Sequence, residues 1–209
     1  MEDKISWEGT LVSVQPRIRL MRSFDEQAHT YLGYALKVHG NIANEEREFL
    51  VGIGKAAYLK HQFRIGDRVS GKSFPVADQR TETVAYYKTS GLKVLKRAAA
   101  ESFEPPPWHG LPPDLPTYRQ RRHRRLDART YNTKCATCIW GCCMPVEITI
   151  DHWKPEKKKY RFETFCYGPK SCLLYKAGAK RKVPGRQGMT YQEEDWLDED
   201  ATSHRGEDE

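Results

Sequence analysis

The chain has 209 residues, only 38% of them hydrophobic, and no run approaches the ~20 apolar residues of a membrane-spanning helix. The start, MEDKISWEGTLV, is charged and lacks the apolar stretch of a secretory signal, so an intracellular, cytoplasmic protein with no membrane partner is expected. The 35 bases and 28 acids give +7, but residues 193–209 hold nine acids and one base, so the remainder carries +15 and should attract polyanions, nucleic acid first.

The length suits two small domains. In the first, residues 1–100, Val12, Val14, Ile18 and Leu20 alternate with polar positions, and Pro16 marks a bulge or an edge. After the polar turn Phe24–Thr30, the alternation resumes at Leu32, Tyr34, Leu36 and Val38, with Tyr34 on the core side. Phe49, Val51 and Ile53 mark a third strand, and Lys55–Phe63 reads as a short helix. Gly66-Asp67 is a turn into a strand at Arg68–Lys72, and Thr83–Lys88 with Leu92–Leu95 supply the last strand.

Three strands, a helix and two strands, with strand four entered through Phe63-Arg64-Ile65-Gly66-Asp67-Arg68-Val69, resemble the OB-fold superfamily over about 90 residues. The resemblance implies a five-stranded Greek-key barrel with a nucleic-acid-binding face. An SH3-like barrel, with its different helix placement, is the structural alternative. Residues 101–117 are proline-rich and read as a semi-rigid extended linker in which Trp108 packs on one domain. Next comes the basic segment RQRRHRR, a helix or an arm that orders on binding.

Residues 118–187 contain all six cysteines. Cys135 and Cys138 in KCATC, and Cys166 and Cys172 in FCYGPKSC, bracket two strands that lie between Met144 and Phe165, with a turn at Lys154–Lys159. Zn²⁺ needs four ligands at about 2.3 Å from sulfur, and a two-residue gap lets one turn aim two thiolates at one point. This layout resembles a zinc ribbon, and the fold class expected overall is mainly β: an OB-like barrel followed by a zinc-ribbon hairpin. Cys142 is an alternate ligand because Cys138-x3-Cys142 also brings two thiols together. Otherwise Cys142 and Cys143 are small buried residues under the hairpin. An iron-sulfur cluster on the dense cysteine run is the other cofactor reading. Clustering of the thiols within 38 residues speaks against a secreted disulfide framework.

Single-stranded nucleic acid is held by rings that stack bases and cations that track phosphates. On the barrel Arg17, Arg19, Lys72, Phe74, Tyr86 and Lys88 are the candidates. On the second domain they are Arg121, Arg122, Arg124 and Arg125, with Lys180, Arg181, Lys182 and Arg186 on an extended basic arm. Trp140, Trp153 and Tyr175 read as hairpin packing. Residues 188–209 read as a disordered acidic tail that folds back on the basic body and competes with polyanions.

Among enzyme signatures, only GDRVSGKS at Gly66–Ser73 matches a phosphate-loop pattern, and its context is wrong because Phe74-Pro75-Val76 continues as a strand and not as a helix. The expected function is therefore non-catalytic binding of DNA or RNA, single-stranded favoured, with protein partners in a larger complex. A zinc-stabilised protein-interaction module is the first alternative, and an iron-sulfur redox protein the second.

Overall fold

The computed structural model describes residues 3–99 and 104–206. It is mainly β, with 45% strand against 18% helix and one large sheet. In β1 (Ile5–Arg22), Leu11, Val14, Ile18 and Leu20 are at most 1% exposed, as are Tyr34, Leu36, Val38 and Ile42 of β2 (Gln27–Ile42). The step from Leu11 to Val14 changes parity, and a register shift between Leu11 and Ser13 absorbs it. A second shift, between Arg17 and Ile18, falls opposite Gly33, whose φ of +137° and close approach to the Ile53 carbonyl admit no side chain. Two bulges thus bracket Pro16.

Strand β3 (Glu45–Ile53) pairs antiparallel with β2 and buries Phe49, Val51 and Ile53. Helix α1 (Lys55–His61) follows and buries Tyr58. The Gly66-Asp67 turn is keyed by its carboxylate: fully buried, Asp67 accepts from the backbone N–H groups of Arg64 at 3.2 Å and Ala98 at 3.0 Å, and from Arg97 at 2.8 Å. Strand β4 (Arg68–Pro75) leaves this turn and pairs with β1 and with β5 (Tyr86–Lys96), which reaches β3 through a parallel bridge, Val51 to Tyr86. The pairings therefore return on themselves in the order β1-β2-β3-β5-β4-β1. GDRVSGKS runs from the turn into β4, and Ser73 is buried beneath the Trp7 indole, whose Nε1 donates to it at 2.8 Å.

The linker lies on the first unit: Tyr58 and Tyr34 donate their hydroxyls to the carbonyls of Pro112 (2.6 Å) and Pro113 (2.8 Å). Beyond it come α2 (Leu115–Arg121), capped by Asp114, then β6 (Arg124–Arg125), α3 (Ala128–Thr130) and a wide turn over Tyr131–Cys135. Strands β7 (Gly141–Thr149) and β8 (Lys158–Cys166) form the antiparallel hairpin. β7 also pairs in parallel with the end of β1, Leu20 to Val146, so the two units share one eight-stranded sheet. Met144, Val146, Ile148 and Phe165 extend the first unit's core.

Two expectations need correction. The acidic segment 188–209 is ordered as far as it is described, to Gly206: β10 (Thr190–Gln192) pairs with β9 (Lys182–Pro184), and α4 (Trp196–Thr202) follows. Its carboxylates meet arginines of the body, which composition cannot show. The basic arm is correspondingly partly folded into β9. Trp153, expected to pack under the hairpin, is 82% exposed at its turn.

Candidate metal centre and nucleic-acid interface

Cys135, Cys138, Cys166 and Cys172 line one cavity of about 10 Å³, closed by Trp108, Leu126, Trp140 and Tyr175. All six cysteines are free thiols. Burial, helped by the neighbouring Cys138, Cys166 and Cys172, pushes the Cys135 thiol up to about 12. Cys138 is pushed up by burial to about 11, opposed by the backbone N–H groups of Trp140, Trp108 and Gly141. Burial also raises Cys166, against the Gly168 N–H that donates to its sulfur at 3.3 Å and the charge of Arg124. Four sulfurs, N–H groups aimed at two of them and a void with room for little more than an ion make a donor set that fits Zn²⁺. Among the described residues, however, no three His, Cys, Asp or Glu side chains are arranged as a formed metal-holding set.

Cys142 lies elsewhere: it is fully buried in the main core, and its thiol donates to the Pro16 carbonyl at 3.4 Å. Cys143 faces a different groove, shared with Phe162 and Tyr131. The dense cysteine run is therefore divided: Cys135 and Cys138 lie in the turn before β7, whereas Cys142 and Cys143, consecutive on β7, face different sides of it.

The motif scan missed the residue that ties this cavity to the first unit. Gln15 of β1 donates from Nε2 to the carbonyls of both Cys135 (3.0 Å) and Cys138 (2.8 Å) and accepts from the Tyr131 hydroxyl at 2.7 Å. A Cβ on Gly141 would meet the same Nε2 at 2.8 Å, which explains a glycine there. Separations of 116 to 123 residues left no signal in the sequence.

The expected nucleic-acid residues divide into free and engaged groups. Arg17 grips Glu82 with two bonds, at 2.9 and 2.7 Å, and Arg19 shares that carboxylate at 2.8 Å. Tyr86 is 8% exposed, edge-on to Phe49, so its ring offers no stacking face. Arg121 lies over Trp140 and donates to the Tyr167 carbonyl, while Arg124 lies 3.8 Å from the Tyr175 ring centroid and donates to the carbonyls of Pro169 and Lys170. Arg125 is 3% exposed and bonded to Asp195 and Asp198. Arg181 pairs with Glu163 at 3.0 Å, and Lys180 with Glu194 at 2.6 Å. Arg122, Lys182 and Arg186 are exposed.

Lys72, Phe74 and Lys88 come together with residues that were not singled out. On the outer face of β4 and β5, Phe74 is the direct partner of Tyr87, and Ser70 of Lys93. Both rings are half-buried. Lys4 stands 5.2 Å above Phe74, and Lys88 stands 5.0 Å above Tyr87. Lys72 and Lys93 also line a shallow groove of about 1060 Å³ running along β1 to the β2–β3 turn. Lys72 and Phe74 follow the two-residue period on β4, whereas Lys88, adjacent to Tyr87 and at φ +50°, comes over that ring within the register shift between Lys72 and Phe74. No protein-family model matches the chain, and no curated protein or solved structure is similar enough to count as a match.

Proposed function

We propose that the chain is a non-catalytic, single-strand-preferring nucleic-acid-binding protein, built from an OB-like barrel and a zinc ribbon. The closed ring of pairings with a helix between β3 and β4 supports the barrel reading. Convergence of Cys135, Cys138, Cys166 and Cys172 on one small cavity supports the ribbon. The observation that carries the function is the Phe74–Tyr87 cross-strand pair with a lysine above each ring, flanked by Lys72 and Lys93. Half-buried rings of this kind can stack any base, and the lysines beside them can meet phosphates, so binding there is sequence-tolerant and salt-sensitive. Zn²⁺ in the cysteine cavity would hold the second unit in shape and takes no part in contacting the strand.

A salt series tests this. The metal-loaded chain is expected to bind oligodeoxythymidine and its RNA counterpart at low salt, more tightly than duplex DNA. Exchanging both Lys72 and Lys93 for glutamate should weaken binding by about a hundredfold or more and flatten the dependence on log salt by roughly 1.4, two phosphate contacts at ~0.7 each. Equal affinity of the two chains would remove this face from consideration. A protein-docking module is the second reading, favoured by Leu173 at 90% and Trp153 at 82% exposure on the second unit.

A further inference from the structure

The acidic segment covers a second group of cations. Arg22, 6% exposed, pairs with Glu193 and with Glu163. Arg125 donates to Asp195 at 2.7 Å and Asp198 at 2.9 Å, and Lys180 reaches Glu194 at 2.6 Å. Beside them opens a cleft of about 690 Å³ with Arg119 and Arg122 at its edge, Tyr31, Phe24 and Phe165 among its walls, and Leu197, Asp198 and Ala201 of the segment as its cover. Arg119 lies 4.9 Å over Tyr31, so this cleft has the same mixture of ring and cation as the outer face of β4 and β5.

Charge, more than apolar burial, holds the cover down. Within α4 only Thr202 is buried; Trp196 is 59% exposed and Leu197 half-buried. Without the segment, Glu163 would be left as the ion-pair partner of Arg22, and it already serves Arg161 and Arg181. Buried cations without an anion are strongly unfavourable. Uncovered, these cations would return to solvent, where a phosphate backbone can replace the carboxylates pair for pair. Burial, with the charges of Arg122 and Arg22, depresses His29 in this cleft to about 4.

We propose that Arg22, Arg125 and Lys180 form a second polyphosphate-binding surface, closed in the resting chain by Glu193, Glu194, Asp195 and Asp198, and that a nucleic-acid strand displaces this segment. The choice of ligand rests on the function proposed above; the existence of the covered surface does not.

Two measurements on the full metal-loaded chain test it. Hydrogen exchange at the amides of Leu197 and Asp198 in α4 and of Ser203 at its C-terminal cap should accelerate about tenfold or more when oligodeoxythymidine saturates the wild-type chain. The variant E193Q/E194Q/D195N/D198N, which frees Arg22, Arg125 and Lys180, should bind oligodeoxythymidine about tenfold tighter at low salt, with a slope against log salt steeper by about 2, three contacts at ~0.7 each. An unchanged exchange rate under saturating ligand overturns the proposal, as does a variant of native circular dichroism that binds no tighter. A wild-type chain that fails to bind beside a neutralised chain that binds removes the β4–β5 reading and upholds this one; failure of both chains removes both.

Discussion

Between Ile5 and Lys96 the interior is aliphatic and aromatic, whereas between Arg124 and Arg205 much of it is cysteine and arginine paired with carboxylate. The first region closes its own ring of strands, so its backbone groups and its apolar surface are satisfied together. The second has a two-stranded hairpin leaning on β1 through three residue pairs, and two-stranded hairpins are marginal alone. Two materials thus hold two parts of one sheet, and they should fail under different conditions.

The sharpest way to separate them is to remove the metal expected at the cysteine cavity. A chelator, or Cys138→Ser, should abolish protection of the β7–β8 amides and of the Cys135–Gly141 turn. Native protection of Leu36, Val38 and Val51 in the first unit should survive. Structural zinc contributes on the order of 10 kcal/mol in small metal-dependent folds, so the loss should be complete for the second unit. Cooperative loss of both regions would show that the shared sheet makes them one folding unit. Full retention of both would show that the thiols are ordinary core residues.

A smaller effect is expected at Gln15, which belongs to the first unit by sequence and to the cysteine loops by hydrogen bonding. Gln15→Leu keeps the volume but orphans the Tyr131 hydroxyl and takes one of two hydrogen bonds from each carbonyl, leaving Cys135 the Cys138 N–H and Cys138 the Gly141 N–H. Each orphaned buried group costs about 1–3 kcal/mol, and lost outer-shell support typically lowers metal affinity about 10- to 100-fold. Competition with a chromophoric chelator measures that affinity. A mere loss of stability with unchanged affinity would make Gln15 a packing residue.

What the sequence disclosed follows the same division. Parity identified the strands of the first unit because each buries one face, and Gly66-Asp67 was legible because a fully buried carboxylate locks that turn locally. The four cysteines could be grouped from sequence because two short loops carry them, and all four line one cavity. The partners of Arg22 and Arg125 were illegible: Arg22 meets Glu193 across 171 residues and Arg125 meets Asp195 across 70. Composition can count such charges but cannot pair them, so the acidic end read as a free tail and the arginines as open to ligand. Tyr86 and Tyr87 show the same limit at single-residue scale, since the turn before β5 leaves Tyr86 buried and Tyr87 half-buried, and the wrong neighbour was chosen.

The smallest expected effect lies at the seam. His29 of β2 and His123, just beyond α2, meet with ring centroids 4.9 Å apart and planes inclined by 59°, joining the two regions through a pair of imidazoles. Burial lowers His29 to about 4, helped by Arg122 and Arg22, and lowers His123 well below its ordinary 6.5. Both are therefore neutral in the fold at neutral pH, while the unfolded chain takes up protons first as pH falls. The stability tied to them is complete above pH 6.5 and is lost between 6.5 and about 4, at most about 3 kcal/mol for His29. The carboxylate of Asp195, held below its ordinary 3.8 by Arg125, gives way only under still more acid conditions, so the two events are separable. Urea unfolding at a series of pH values should show a decline across that window, and His29→Gln should flatten it. If the slope persists in that variant, the histidine seam is not what couples the apolar unit to the charged one.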